Sequence, residues 1–302
     1  MASQLPTRCH QTLKGHTGPV HAVKYNTNGE YCLTGGQDRT IRLWNPNTAS
    51  CIKTYSGHGN WVLGISVAPD NARFASCGGD RAVFLWDVAT GRSIVRFSGH
   101  YQRVNCVGFN RDASVIVSGS DDTTVRIWDC KSRAKFPIQI LEEAKDGVTS
   151  LQVSDYQIIT GSTDGRTRVY DLRFGKVYED YIGNPITSVR FSGDGNCILV
   201  SSTDNTLRLM DKENGQLLND FRGHKHEKFK IQSCLSYDDA YVFSGSEDGN
   251  IYAWDLIEGQ MAAQLREHSN VVTALEYHPN ENYLLSGSVD GTAKVWAVPN
   301  FA

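Results

Sequence analysis

The chain has 302 residues, 40% of them hydrophobic, with 30 basic against 33 acidic side chains for a formal charge of -3. That hydrophobic share excludes a disordered chain, and the near-neutral balance leaves no electrostatic footprint for non-specific nucleic-acid binding. Gly is abundant at 28 and Pro scarce at 8, as many tight turns between short strands require.

In chain order, Met1 to Thr7 holds neither an apolar stretch nor a basic region, so no secretory signal is read there. No window approaches the ~18 apolar residues of a membrane-spanning helix. Cys9-His-Gln-Thr-Leu13 reads as a strand, and Gly15-His16 follows it. From there a unit recurs. An Asp is followed six residues later by Trp in Asp38 and Trp44, Asp80 and Trp86, Asp122 and Trp128, Asp248 and Trp254, and Asp290 and Trp296. Asp164 and Asp204 keep the spacing but lead to Tyr170 and Met210. Successive copies lie 42, 42, 42, 40, 44 and 42 residues apart.

Each unit also has a start. Gly15-His16, Gly57-His58, Gly99-His100, Gly223-His224 and Glu267-His268 precede the Trp by 28 residues, except in the sixth unit, where the gap is 30. A period of ~40–45 residues bounded by Gly-His and Trp-Asp is the signature of WD repeats, each a four-stranded blade of a β-propeller. Thr40-Ile-Arg-Leu-Trp44 and its equivalents alternate at the period of a strand. Residues 1–302 are therefore read as one all-β, seven-bladed propeller. Six residues follow Trp296, too few for another strand, so the N-terminal segment is expected to supply the outer strand of the last blade and close the ring. The eight cysteines form no Cys-x-x-Cys pair and are read as free, mostly buried thiols.

Five units carry a His, a hydroxyl, an Asp and a Trp at matched positions. They are His16, Thr34, Asp38 and Trp44; His58, Ser76, Asp80 and Trp86; His100, Ser118, Asp122 and Trp128; His224, Ser244, Asp248 and Trp254; and His268, Ser286, Asp290 and Trp296. Ser, His and Asp together suggest nucleophilic catalysis. Five copies in one chain, with no Gly-x-Ser-x-Gly elbow, favour a structural relay that satisfies buried polar groups. Units four and five lack the His and the Trp, and the fifth has Val200 in place of the hydroxyl. Their networks must be absent or rebuilt, which marks residues 141–215 as a weak sector.

No catalytic residue, cofactor or metal site is expected. There is no His-Glu-x-x-His, no paired Cys motif and no phosphate loop. Basic side chains two positions before the Trp (Arg42, Arg126, Arg168, Arg208, Lys294) read as stems that snorkel from blade surfaces. Partner contacts are expected on the face made by the loops leading into the inner strands. By spacing it presents His21, Trp61, Leu63, Arg103, Asn105 and Thr149, with Gln37, Asp121 and Glu247 just before the turn Asp residues. Trp61 lies outside the core-Trp position, so it either anchors a partner or tucks against a neighbouring blade.

The irregular units are more specific than the repeat. Val169-Tyr-Asp-Leu-Arg173, Asp180-Tyr-Ile-Gly-Asn-Pro-Ile186, Leu199 to Leu209, Gly79-Asp-Arg-Ala-Val83 and Gly223-His-Lys resemble the mitogen-activated protein kinase organizer family of WD-repeat proteins, from about Leu13 to Trp296. The resemblance implies a non-enzymatic scaffold for components of a mitogen-activated kinase cascade, in cytoplasm and nucleus. The alternative it implies is a protein-binding subunit of the spliceosome or another RNA-processing particle. Partners are then proteins, with RNA contact secondary and no membrane, and the chain is expected as a monomer within larger complexes.

Overall fold

In the computed structural model, which describes residues 5–132 and 134–299, the chain forms 28 strands, β1 to β28 in chain order. They make seven sheets of four antiparallel strands. Six blades are consecutive in sequence, from β2 (Val20–Tyr25) to β25 (Met261–Arg266). The seventh joins β26 (Val272–Tyr277), β27 (Tyr283–Ser288) and β28 (Thr292–Ala297) to β1 (Arg8–Lys14). The register runs from Arg8 opposite Ala297 to Lys14 opposite Thr292. The N-terminal segment thus completes the last blade, and the two chain ends lock each other.

The core sits in the seams between blades. Trp44 of the first blade packs against Leu13, Leu285 and Val295 of the seventh, and Trp86 against Ile41 and Tyr55 of the first. Trp128, Trp254 and Trp296 repeat this contact with the blade before them. Tyr170 fills the same role in the fourth blade, beside Val117 and Val125 of the third. A blade alone would leave both faces wet, so the ring buries its apolar surface only as an assembly of neighbours.

Turn chemistry is shared by all seven copies. The residue after each turn Asp has positive φ: Arg39 (67°), Arg81 (63°), Thr123 (68°), Gly165 (75°), Asn205 (61°), Gly249 (84°) and Gly291 (82°). Four of these are not glycine. In six copies the Asp carboxylate offsets the strain by accepting the backbone N–H two residues on, as Asp122 does from Thr124 at 3.1 Å, whereas Asp204 accepts from Ser202 and Arg208 instead.

The inner strands carry a second shared device. In six blades the register slips at the second residue of the inner strand, between Val20 and Ala22, Val62 and Gly64, Val104 and Cys106, Val148 and Ser150, Ile186 and Ser188, and Val272 and Ala274. The bulged residues are His21, Leu63, Asn105, Thr149, Thr187 and Thr273. A bulge re-aims its side chain, here toward the next blade.

Removal of residues 1–14 is expected to lower the melting temperature by roughly 10 °C, from the lost burial of Leu13 and the unpaired edge of β28. Differential scanning calorimetry of the truncated and full chains measures this; equal melting temperatures would contradict closure by β1.

Candidate functional site

The polar relays fix the loops that carry the site. In the first, second, third and seventh blades the chain of contacts is complete. The indole N–H of Trp44 donates to Thr34 Oγ1 at 2.8 Å, His16 Nε2 lies 2.7 Å from that oxygen, and His16 Nδ1 lies 2.9 Å from Asp38 Oδ2. Trp128, Ser118, His100 and Asp122 repeat it with all three contacts at 2.8 Å. Trp86, Ser76, His58 and Asp80 form the third copy, and Trp296, Ser286, His268 and Asp290 the fourth. A carboxylate can only accept, so the imidazole proton sits on Nδ1 and Nε2 accepts from the hydroxyl. Burial drives the pKa of His16 and His100 down, which keeps the relay neutral at the imidazole. Burial alone would raise Asp122 and Asp290, yet hydrogen bonds from the imidazole and from Thr124 or Thr292 hold both well below the usual carboxylate range.

The sixth blade departs from expectation. Trp254 donates instead to the backbone oxygen of Arg222 at 3.0 Å, Ser244 donates to the Gly245 carbonyl at 2.9 Å, and Asp248 accepts from the Tyr252 hydroxyl at 2.7 Å. His224 still packs edge-on against Trp254, but both its ring nitrogens are buried without a hydrogen-bond partner. The four residue types are present; the loop is two residues longer, which shifts the imidazole out of line.

Units four and five are rebuilt around arginine. Arg168 donates to Ser162 Oγ at 2.8 Å and to Asp164 Oδ2 at 2.7 Å, while Ser162 also donates to Asp164. Arg208, Ser202 and Asp204 do the same, with the first contact at 2.7 Å. The guanidinium fork takes the place of the imidazole. These basic side chains are therefore not surface stems: Arg126, Arg168 and Lys294 are buried between blades.

Six of the expected partner residues (His21, Gln37, Trp61, Leu63, Arg103 and Asn105) line one hollow of about 310 Å³ at the mouth of the ring. Trp61 is 42% exposed and stacks on His21, with centroids 5.6 Å apart and planes at 25°. Of the two roles open to Trp61, the structure gives it an open face with a supporting ring behind. Asp121 pairs with Arg103 and accepts from Asn105 Nδ2 at 2.6 Å, which sets the rim.

Two expected residues are corrected. Thr149 is buried and donates to the carbonyls of Gly161 at 3.0 Å and Ile186 at 2.5 Å. Glu247 accepts the backbone N–H groups of Glu227, Lys228 and Phe229 at 2.8, 2.5 and 3.1 Å, so it anchors a loop. Thr149 belongs to a stitch. Asn105 donates to Val148 O at 2.9 Å, Thr187 to Ile231 O at 3.0 Å and Thr273 to Val20 O at 2.9 Å, each bulged side chain bonding the next blade. His21 and Leu63 occupy the same bulge position. Leu63 has no group to donate, and His21 Nε2 is buried without a partner. Those two seams are left without the stitch, and the hollow forms over them. The spacing argument missed Phe229, Lys230 and Gln232, which enter from the sixth blade. The extra residues of that loop were the available signal.

Comparison with known proteins now adds the lineage. Residues 6–252 match the model described as IFT122 first beta-propeller, and residues 259–297 match WD domain, G-beta repeat. The chain is similar to WD repeat domain-containing protein 83 of Rattus norvegicus, 55% identical over 98% of this chain and 93% of the relative. The protein of that name from Homo sapiens is 52% identical over 97% and 93%. The homolog from Dictyostelium discoideum is 34% identical over 95% and 97%. These matches correct the resemblance drawn from the irregular units. The relatives carry the name WD repeat domain-containing protein 83, and the matching model is a different propeller, so a mitogen-activated protein kinase organizer family is not where the chain is placed.

Two outcomes follow from the relays. Ser118→Ala is expected to cost about 1–3 kcal/mol, because it strands the Trp128 N–H and His100 Nε2, whereas Ser244→Ala is expected to be near neutral. Equal losses in chemical denaturation would remove the distinction. Stability should also fall with acid. His16 and His100 have depressed folded pKa values, and burial lowers His21 to about 4, His224 to about 3 and His226 to about 4. Below about 6.5 the unfolded imidazoles take up protons that the folded ones refuse, so unfolding gains as pH drops. The relay carboxylates add to the loss below about 4. The melting temperature should therefore decline steadily from pH 7.5 to 5; a flat profile would mean that these imidazoles titrate freely in the fold.

Proposed function

We propose that this chain, which belongs to the WD repeat domain-containing protein 83 family, is a non-enzymatic platform that holds other proteins at the mouth of its ring. WD-repeat propellers act as protein-interaction scaffolds, and this reading names the face. The observation that carries it is Trp61, a large aromatic left open beside a hollow and backed by His21. Exposed Trp with a neighbouring Arg is the composition of an interface anchor, and the half-exposed Phe229 and the exposed Arg103 stand on the same rim.

A catalytic use of the Ser–His–Asp sets is disfavoured on geometry. The hydroxyls of Thr34, Ser76, Ser118 and Ser286 are fully buried, and each already accepts a Trp N–H. A nucleophile must reach its substrate, and these reach only the seam.

The finer expectation concerns which proteins are held: kinase-cascade components or spliceosomal proteins, in cytoplasm and nucleus. One experiment addresses both the face and the partner. Tagged full chain and its Trp61→Ala, Arg103→Ala double variant are purified from separate nuclear and cytoplasmic extracts, and the co-purifying proteins are identified by mass spectrometry. The variant should lose the major partners while its melting temperature stays within about 2 °C of the parent, since both side chains are exposed. An unchanged partner set would remove this face.

A further inference from the structure

The loop of the sixth blade brings a cation into the ring. Glu247 clamps the backbone of residues 227 to 229, and Lys230 then reaches across to donate its ammonium to the backbone oxygen of Asn105 at 2.8 Å. Lys230 borders both the central channel, about 210 Å³, and the hollow at its mouth. Each of the other cations there has a carboxylate, though two of them share one. Lys24 pairs with Glu276, Arg190 lies 3.4 Å from the same carboxylate, and Arg103 pairs with Asp121. Among the described residues, Lys230 has no carboxylate within ion-pair distance. Four cations against two acids leave the channel and its mouth positive, although the chain as a whole is acidic.

Two further polar atoms in the hollow lack partners. His21 Nε2 and Gln232 Oε1 are buried and unbonded, in a protein that otherwise stitches such groups from blade to blade. An unpaired buried polar atom costs free energy, and a ligand that pairs it recovers that cost. Beside these atoms, Trp61, Leu63 and Phe229 make an apolar wall. Burial pulls the Lys230 ammonium below its ordinary pKa, and Lys230 adds to the burial that lowers His21.

We infer that this hollow takes a short acidic peptide, with a carboxylate side chain against Lys230 and His21 and an apolar side chain against Trp61 and Phe229. Lys230 has donors to spare after its one carbonyl, and neutral His21 offers an N–H from Nε2. Gln232 Oε1 is placed to accept a backbone N–H of the peptide. The occupant is a carboxylate rather than a phosphate because the one guanidinium on the rim, Arg103, is already committed to Asp121, and phosphate recognition favours free guanidinium forks. This inference rests on the platform reading of the same face and adds the class of partner.

The test uses a phage-displayed library of random short peptides panned against the full chain. Enriched sequences should share an Asp or Glu beside a large apolar residue. In a synthetic consensus peptide, replacement of that Glu by Gln should weaken binding about tenfold or more. Lys230→Met should cost the acidic peptide a similar factor and its Gln version little, while Trp61→Ala weakens both alike. Melting curves confirm that the variants fold. Peptides that bind in a Trp61-dependent way without an acid, or regardless of Lys230, would overturn the carboxylate and leave the platform face standing. Tighter binding when phosphoserine replaces the Glu would overturn it in favour of a phosphopeptide. A library that enriches nothing above background overturns it as well. Binding that ignores Trp61 would instead count against the face.

Discussion

Everything in this ring answers to one donor. A tryptophan at the end of the third strand of a blade must be buried to seal the seam with the blade before it, and its indole N–H goes in with it. In the dry seam that donor needs an acceptor, the acceptor hydroxyl has a proton of its own to place, and the imidazole that takes it must pass the polarity outward. The relay ends only where a carboxylate can face backbone donors near solvent. Four side-chain identities are not independent choices; they follow from the decision to bury one aromatic. Blades that replace the Trp with Tyr170 or Met210 are released from that sequence of demands and adopt another, in which Arg168 or Arg208 fills the gap and closes on Asp and Ser directly.

The inner strands solve a different problem. Strands crowding a central axis leave carbonyls at the rim, and the bulge at the second residue turns a polar side chain onto the carbonyl of the next blade. Asn and Thr suit this because they are short and carry a donor. Where His21 and Leu63 stand instead, the device is given up, with a buried ring nitrogen left over as the visible cost. Two such idle atoms, His21 Nε2 and Gln232 Oε1, border the same hollow, which is the observation behind the partner proposed for it.

How much of this could be read in advance depends on whether a feature is local or rotational. Period, blade number and closure by β1 are properties of spacing, and spacing is what a sequence displays. The four full relays were legible for the same reason, since 28 residues from His to Trp span one unit without insertion. The sixth was misread because composition survived there while geometry did not: two extra residues displace His224, and Tyr252 captures Asp248. Six residues of the mouth were located by position in the unit, yet Thr149 was taken as exposed because a bulge that swings a side chain inward leaves no trace in composition. Lys230 lay hidden because its path depends on Glu247 holding three backbone donors, a contact between distant segments.

Relay and hollow are linked by more than proximity. The carboxylate that ends each full relay also accepts the backbone N–H of the residue following its His: Thr17, Gly59, Tyr101 and Ser269, at 3.2, 2.9, 2.9 and 3.2 Å. Those residues begin the segments that lead to Pro19, Trp61, Arg103 and Thr273 at the mouth. Blades one, two, three and seven hold complete relays, and these four supply every lining residue except the three from the clamped loop of the sixth. The fourth and fifth blades, which lack the relay, supply none. A buried donor deep in a seam therefore fixes the loops of the rim, so their order is established on folding and a partner need not pay for it on binding. Loss of a relay should loosen the mouth before it opens the ring, so that stability and the recognition proposed for this face rest on the same hydrogen bonds.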